Sequence, residues 1–140
     1  EINAAFLWAQ LEHLEEIQAK RKHIWNRYHD RLKTLEECDC FRMPDIPDYA
    51  TNNAHMFYLV CRSLEERSGL IQVLKDNDIV APFHYLSLHR SEYYKDKHDG
   101  RKLPFCDGYM DTLVRMPLYY ELTDEQQDNI INVVKRYYEE

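Results

Sequence analysis

The chain has 140 residues, with 18 Lys and Arg against 25 Asp and Glu, a formal net charge of −7 and 11 tyrosines. That length suits one domain with a modest core, and the acidic balance excludes a general phosphate-backbone binder while leaving room for a local basic pocket. With no apolar run of membrane-spanning length and no charged-then-apolar leader, it reads as soluble and cytoplasmic, without nucleic-acid or membrane partners.

The chain begins at Glu1, without a methionine and directly in helical sequence, and so reads as a piece of a longer protein. Ile2, Ala5, Phe6, Ala9, Leu14 and Ile17, then Ile24, Tyr28, Leu32 and Leu35, recur at three- and four-residue steps, which predicts one helix over residues 2–35. At 1.5 Å per residue it would reach about 50 Å, more than a domain this size needs. Residues 1–37 are therefore read as a connecting helix and 38–140 as a small domain. Ala4 to Ala9 is apolar almost all round and expects burial on more than one side. A coiled-coil arm is the alternative, but the apolar positions hold no strict heptad.

Residues 38–54, with Pro44, Pro47 and their Asp neighbours, read as a linker. His55–Cys61 is a predicted strand, and Ser63 with Glu66 marks a capping box for a helix whose stripe is Leu64, Leu70, Ile71, Val73 and Leu74. Ile79–Phe83 is a second predicted strand. A polar loop over 90–105 precedes a short helix at Cys106–Val114 and an extended piece at Arg115–Tyr119, held to an edge by Pro117. Thr123 and Gln126 make a second capping box for a last helix with Ile130, Ile131, Val133, Val134 and Tyr137 on its apolar face. The fold class is α/β (α+β): a short sheet with packed helices behind a long N-terminal helix.

The stretch from Pro82 to His89 puts His84, Tyr85 and His89 where a predicted strand becomes irregular, a usual place for binding groups. The plainer reading is that both histidines pair with backbone carbonyls. Cys38, Cys40, Cys61 and Cys106 lack zinc-ligand spacing, so reduced thiols and no metal site are expected. Three glycines make a phosphate loop improbable, and no SxxK, HExxH or GxSxG motif occurs. The lysines lie on solvated faces or polar loops, and none has surroundings that would depress its pKa for Schiff-base chemistry. The residues alone describe a cap, an interface or one wall of a site.

Ile2–Ala5, Trp8–Glu12, Arg27-Tyr28, Asn53–Tyr58, Phe83–His89 and Arg115–Thr123, in that order, closely resemble the C-terminal part of sugar aminotransferases of the DegT/DnrJ/EryC1/StrS family. The resemblance runs over essentially the whole chain. It implies the small C-terminal domain and connecting helix of a fold-type-I pyridoxal phosphate enzyme. Such enzymes move an amino group, usually from glutamate, to C4 of a dTDP-linked 4-keto-6-deoxy sugar for surface polysaccharide, as homodimers. The cofactor's lysine belongs to the large N-terminal domain, so the resemblance places no catalytic or cofactor-binding residue here and implies an isolated chain that is inactive and holds no cofactor. His84, Tyr85 and His89 become candidate substrate contacts, whose imidazole and phenol groups suit hydroxyl and diphosphate oxygens. His55 is a further candidate, with a structural hydrogen bond as its other role. Ser87 stands where the family often has proline, which bears on how His89 is oriented. Arg115 either faces an anionic group or is solvated, and stays outside the candidate set. The competing readings are a stand-alone interaction or regulatory domain on this fold, and a small Cys/His metal-binding domain.

Overall fold

The long N-terminal helix forms, but in two pieces. The computed structural model describes residues 1–139, with α1 at Ile2–Glu12 and α2 at Leu14–Glu37. Between them His13 adopts φ −109° and ψ 16°, and its N–H donates to the Gln10 carbonyl (3.1 Å), a tightened turn in place of a helical one. The expected single helix is thus interrupted with no Gly or Pro to mark the place. The two pieces differ in what they bury. α2 buries Ile24, Trp25, Tyr28, Leu32 and Leu35, whereas α1 buries no residue, and Ile2, Phe6, Leu7, Trp8 and Leu11 stand 52–86% exposed.

The segment expected as a linker has no helix, but it is packed. Phe41, Met43 and Ala54 belong to the core, and Arg42 forms an antiparallel bridge with Val60. β1 (Phe57–Val60) follows, then α3 (Leu64–Asp76), a short 3-10 turn at Leu88–Arg90, α4 (Pro104–Thr112), β2 (Leu113–Met116) and α5 (Asp124–Glu139). β1 and β2 pair antiparallel, from Phe57 opposite Met116 to Val60 opposite Leu113.

That pairing corrects two expectations. Ile79–Phe83 is not a strand: it supplies one bridge, Phe83 to Val114, and the Pro82 carbonyl accepts from the Arg115 N–H at 2.9 Å. Pro82 has no N–H to continue a ladder, so the segment docks as an edge. Ile79 and Ala81 point inward while Val80 is 82% exposed. The strand that does form takes its residues from both the expected short helix and the extended piece. α4 begins at Pro104, which suits a first helical turn, and gives way to β2 at Leu113.

One cluster joins α2, the 41–43 segment, the sheet, α3 and α5. Tyr28 stacks on Phe57 (centroids 5.1 Å) and donates to the Pro117 carbonyl (3.0 Å), tying α2 to the end of β2. Gly69 lets α3 approach α5: a Cβ there would lie 2.6 Å from the Tyr137 hydroxyl, which donates to the Glu66 carbonyl. Gln127, fully buried, donates to the Ile24 carbonyl at 2.8 Å, and Arg27 and Arg31 flank Asp128 at 2.5 and 3.0 Å.

Candidate functional site

The His84–His89 segment leaves β2 at the Phe83 bridge and runs toward α4. The rings of His84 and Tyr85 meet edge to face at 4.8 Å, and His84 Nδ1 is buried without a protein partner. Tyr85 is exposed, with the Arg115 guanidinium 5.9 Å from its ring, while the Arg67 guanidinium lies 5.2 Å over Phe83. His84, Tyr85, Leu86 and Leu88 face Cys106, Tyr109 and Met110 of α4 across a cavity of about 320 Å³.

His89 is turned elsewhere. One oxygen, Oδ1 of Asp107 in the first turn of α4, gathers the Ser87 hydroxyl (3.2 Å), His89 Nε2 (3.2 Å) and Arg90 Nε (3.1 Å). Ser87 is only 4% exposed and also accepts from the Cys106 thiol at 3.4 Å. Its φ of −57° is one that proline would impose, so the loop keeps a proline-like path and gains a hydroxyl bond to Asp107. His89 packs against His98 (centroids 5.1 Å) beside a second, mostly apolar cavity of about 320 Å³. Leu88 and Cys106 line both cavities, which makes them neighbours. His89 thus pairs with a carboxylate rather than a backbone carbonyl.

His55 is brought to neither cavity. It is exposed just before β1, its N–H donates to Asn53 Oδ1 (3.0 Å), and its carbonyl accepts from Arg21. Ala54 before it is fully buried at φ 50°, a left-handed conformation costing roughly 1 kcal/mol or more for a residue with a Cβ. Its N–H on Asn52 Oδ1 (2.8 Å) and Arg21 Nε on its carbonyl (3.2 Å) hold it there. His55, Arg21 and Arg115 line a third cavity, of about 380 Å³. Asp107 and Arg21 are the residues that sequence reasoning missed, and the hydroxyl bond from Ser87 to Asp107 was not foreseen. Their partners lie far along the chain, and no local pattern announces them.

All four cysteines are free, and burial pushes the Cys61 thiol up to about 11. Among the described residues no three His, Cys, Asp or Glu side chains converge as metal ligands, and no helix is long and apolar enough to cross a membrane.

Among the described residues these side chains sit on a mixed α/β frame of five α-helices and a two-stranded sheet. Residues 1–135 match the DegT/DnrJ/EryC1/StrS aminotransferase family, and the chain belongs to that family. It is similar to a DegT DnrJ EryC1 StrS aminotransferase from Brucella abortus (TM-score 0.81, 25% identity, 98% of this chain and 35% of that one). It shares its fold with DesV from S. venezuelae (TM-score 0.87, 23% identity, 98% and 36% covered). The same holds for NtdA from Bacillus subtilis, solved with bound cofactor PMP (TM-score 0.80, 20% identity, 91% and 30% covered). The chain spans about a third of the length of these proteins. None of its lysines is buried among the described residues.

Proposed function

We propose that this chain is the small C-terminal part of a pyridoxal-phosphate-dependent nucleotide-sugar aminotransferase, residues 1–37 being the connection to a large N-terminal domain and 38–140 the small domain. The family match over residues 1–135 carries this reading. The reaction it fits moves an amino group from glutamate to C4 of a dTDP-linked 4-keto-6-deoxy sugar. In this reading the activity is like that of dTDP-4-amino-4,6-dideoxygalactose transaminase, an enzyme that feeds bacterial surface polysaccharide such as lipopolysaccharide or enterobacterial common antigen. The whole enzyme is a cytoplasmic homodimer in this reading, and the isolated chain neither turns over substrate nor retains cofactor.

The cofactor, held by the rest of the protein, supplies the electron sink that amino transfer needs. This chain supplies recognition. His84 and Tyr85, rings in contact beside a cavity, offer donors to sugar hydroxyl or diphosphate oxygens. His89 orients the loop through Asp107 and borders the neighbouring cavity.

The test uses the full-length enzyme. His84→Ala is expected to raise KM for the sugar nucleotide roughly tenfold while the cofactor absorbance and the half-reaction with glutamate stay unchanged. An unchanged kcat/KM for the sugar removes His84 from the site. The isolated chain, mixed with pyridoxal phosphate and dialysed, is expected to keep no visible-edge absorbance, and a persistent band overturns its assignment as the part without the anchor.

A further inference from the structure

One carboxylate oxygen governs the turn that carries His89. We propose that Asp107 is a positioning residue for sugar-nucleotide recognition, holding the His89 ring so that Nδ1 is the nitrogen left for a ligand. His89 Nε2 lies 3.2 Å from Asp107 Oδ1. A carboxylate only accepts, so Nε2 carries the proton in this contact, and the carboxylate fixes the tautomer. His89 also lines the mostly apolar cavity of about 320 Å³ that includes Leu88, Tyr94 and Leu103. With Nε2 taken, Nδ1 is the ring nitrogen that can meet a ligand there. A ring turned over would put a carbon where Nδ1 now stands, and it would lose the bond to Asp107.

Asp107 grips the turn at both ends. The 3-10 turn Leu88–Arg90 is closed by the Arg90 N–H on the Ser87 carbonyl and the Ser91 N–H on the Leu88 carbonyl, both at 3.0 Å. Ser87 before the turn and Arg90 at its end donate to the same oxygen that holds His89 between them. The other side-chain contacts of Ser87 also run to α4. Its N–H points at Met110 Sδ (3.3 Å), and its hydroxyl oxygen accepts from the Cys106 thiol (3.4 Å). The carboxylate itself sits in the first turn of α4, where unpaired backbone N–H groups favour negative charge.

The three donors do not weigh equally. The Arg90 side chain is 53% exposed, and an ion pair open to solvent contributes little. The His89 side chain is 14% exposed and Ser87 is buried, so their bonds to Asp107 are the ones that fix geometry. The proposal rests on the aminotransferase reading for the identity of the ligand, a sugar hydroxyl or a diphosphate oxygen. It adds a residue on a separate helix that acts through His89 without touching the ligand.

A double-mutant cycle in the full-length enzyme, read as KM and kcat for the sugar nucleotide, tests it. His89→Ala and Asp107→Ala are each expected to raise KM about tenfold with kcat changed less than about twofold, and the double variant to raise KM no further. Asp107→Asn keeps the shape and an acceptor oxygen, and is expected to raise KM less than about threefold. In the His89→Ala background it should have no effect, which keeps the cycle informative if Asp107→Ala melts early. A double variant about a hundredfold worse than wild type, the product of the single losses, would show that Asp107 acts independently of His89 and overturns the proposal. Asp107→Ala with a lowered Tm and an unchanged KM overturns it too, since that is how a purely structural latch behaves. An unchanged KM in His89→Ala has the same consequence. Each of these can occur while the His84→Ala result stands. Failure of the aminotransferase reading looks different: the wild-type enzyme then uses no nucleotide sugar and shows no half-reaction with glutamate, and the proposal falls with it.

Discussion

Asp107 Oδ1 collects a hydroxyl, an imidazole and a guanidinium, and that one atom determines where His89 can go. The sequence identified His89 as a candidate by its type and its place after an apolar segment. It could not show that the imidazole turns to a carboxylate on α4, because no periodicity links the two. His84 and Tyr85 were legible together, being adjacent in the chain and in contact in space. Burial also carries a prediction at this scale. The Cys61 thiol is 3% exposed and its pKa is pushed up to about 11, chiefly by desolvation, although the Tyr138 hydroxyl donates to its sulfur at 3.6 Å. The folded chain thus holds that proton more tightly than the unfolded one, so the associated stability is full below the ordinary thiol range and disappears as pH rises through about 11. Burial raises the hydroxyls of Tyr28 and Tyr138 in the same direction. Urea unfolding is expected to show a flat midpoint from neutral pH to the onset of thiol ionisation, then a decline on the order of 2 kcal/mol over the next two pH units. Cys61→Ala should flatten the first part of that decline. An equally steep slope in the variant would assign the effect to the tyrosines.

Elements were readable where their signals are local. Ser63 accepts from the Glu66 N–H at 3.1 Å, though the Glu66 side chain goes to Arg62 instead of closing the box. At the last helix the box closes fully: the Gln126 N–H donates to the Thr123 hydroxyl (3.2 Å), and Gln126 Oε1 accepts from the Thr123 N–H (3.0 Å). Thr123→Ala is expected to cost about 1 kcal/mol, a Tm decrease of about 3 °C by calorimetry for a chain of this size. A loss no larger than at an exposed mid-helix position such as Asn132 would mean the cap is dispensable. The sheet was the illegible part. Residues 79–83 and 113–116 are both short and apolar, and which pairs with β1 depends on contacts more than fifty residues apart. Pro82 was the available clue against a central strand, and β2 accordingly took the place beside β1. The break at His13 had no sequence signal at all, since every residue around it favours helix.

At the scale of the whole molecule, the all-round apolar start of the first helix was plain in the sequence, and this chain leaves it bare. Ile2, Phe6, Leu7, Trp8, Leu11 and Leu14 are exposed, and Leu7, Leu11 and Leu14 follow one face while Ile2 and Phe6 follow another. The core draws instead on α2 from Ile24 onward, so α1 contributes nothing to it. Contiguous apolar surface of that kind is normally covered, and the proposed large domain is its natural cover in the complete enzyme. An isolated 140-residue chain has only other copies to offer. Sedimentation velocity at rising concentration is therefore expected to show reversible association in the tens of micromolar, abolished when Phe6, Leu7 and Trp8 are replaced together by Glu, Gln and Lys. The same triple variant should unfold at an unchanged urea midpoint, because none of those side chains touches the core. A chain that stays monomeric throughout would mean the bare helix is too small or too mobile a surface to hold a second copy. A lowered midpoint in the variant would instead show that α1 supports the small domain.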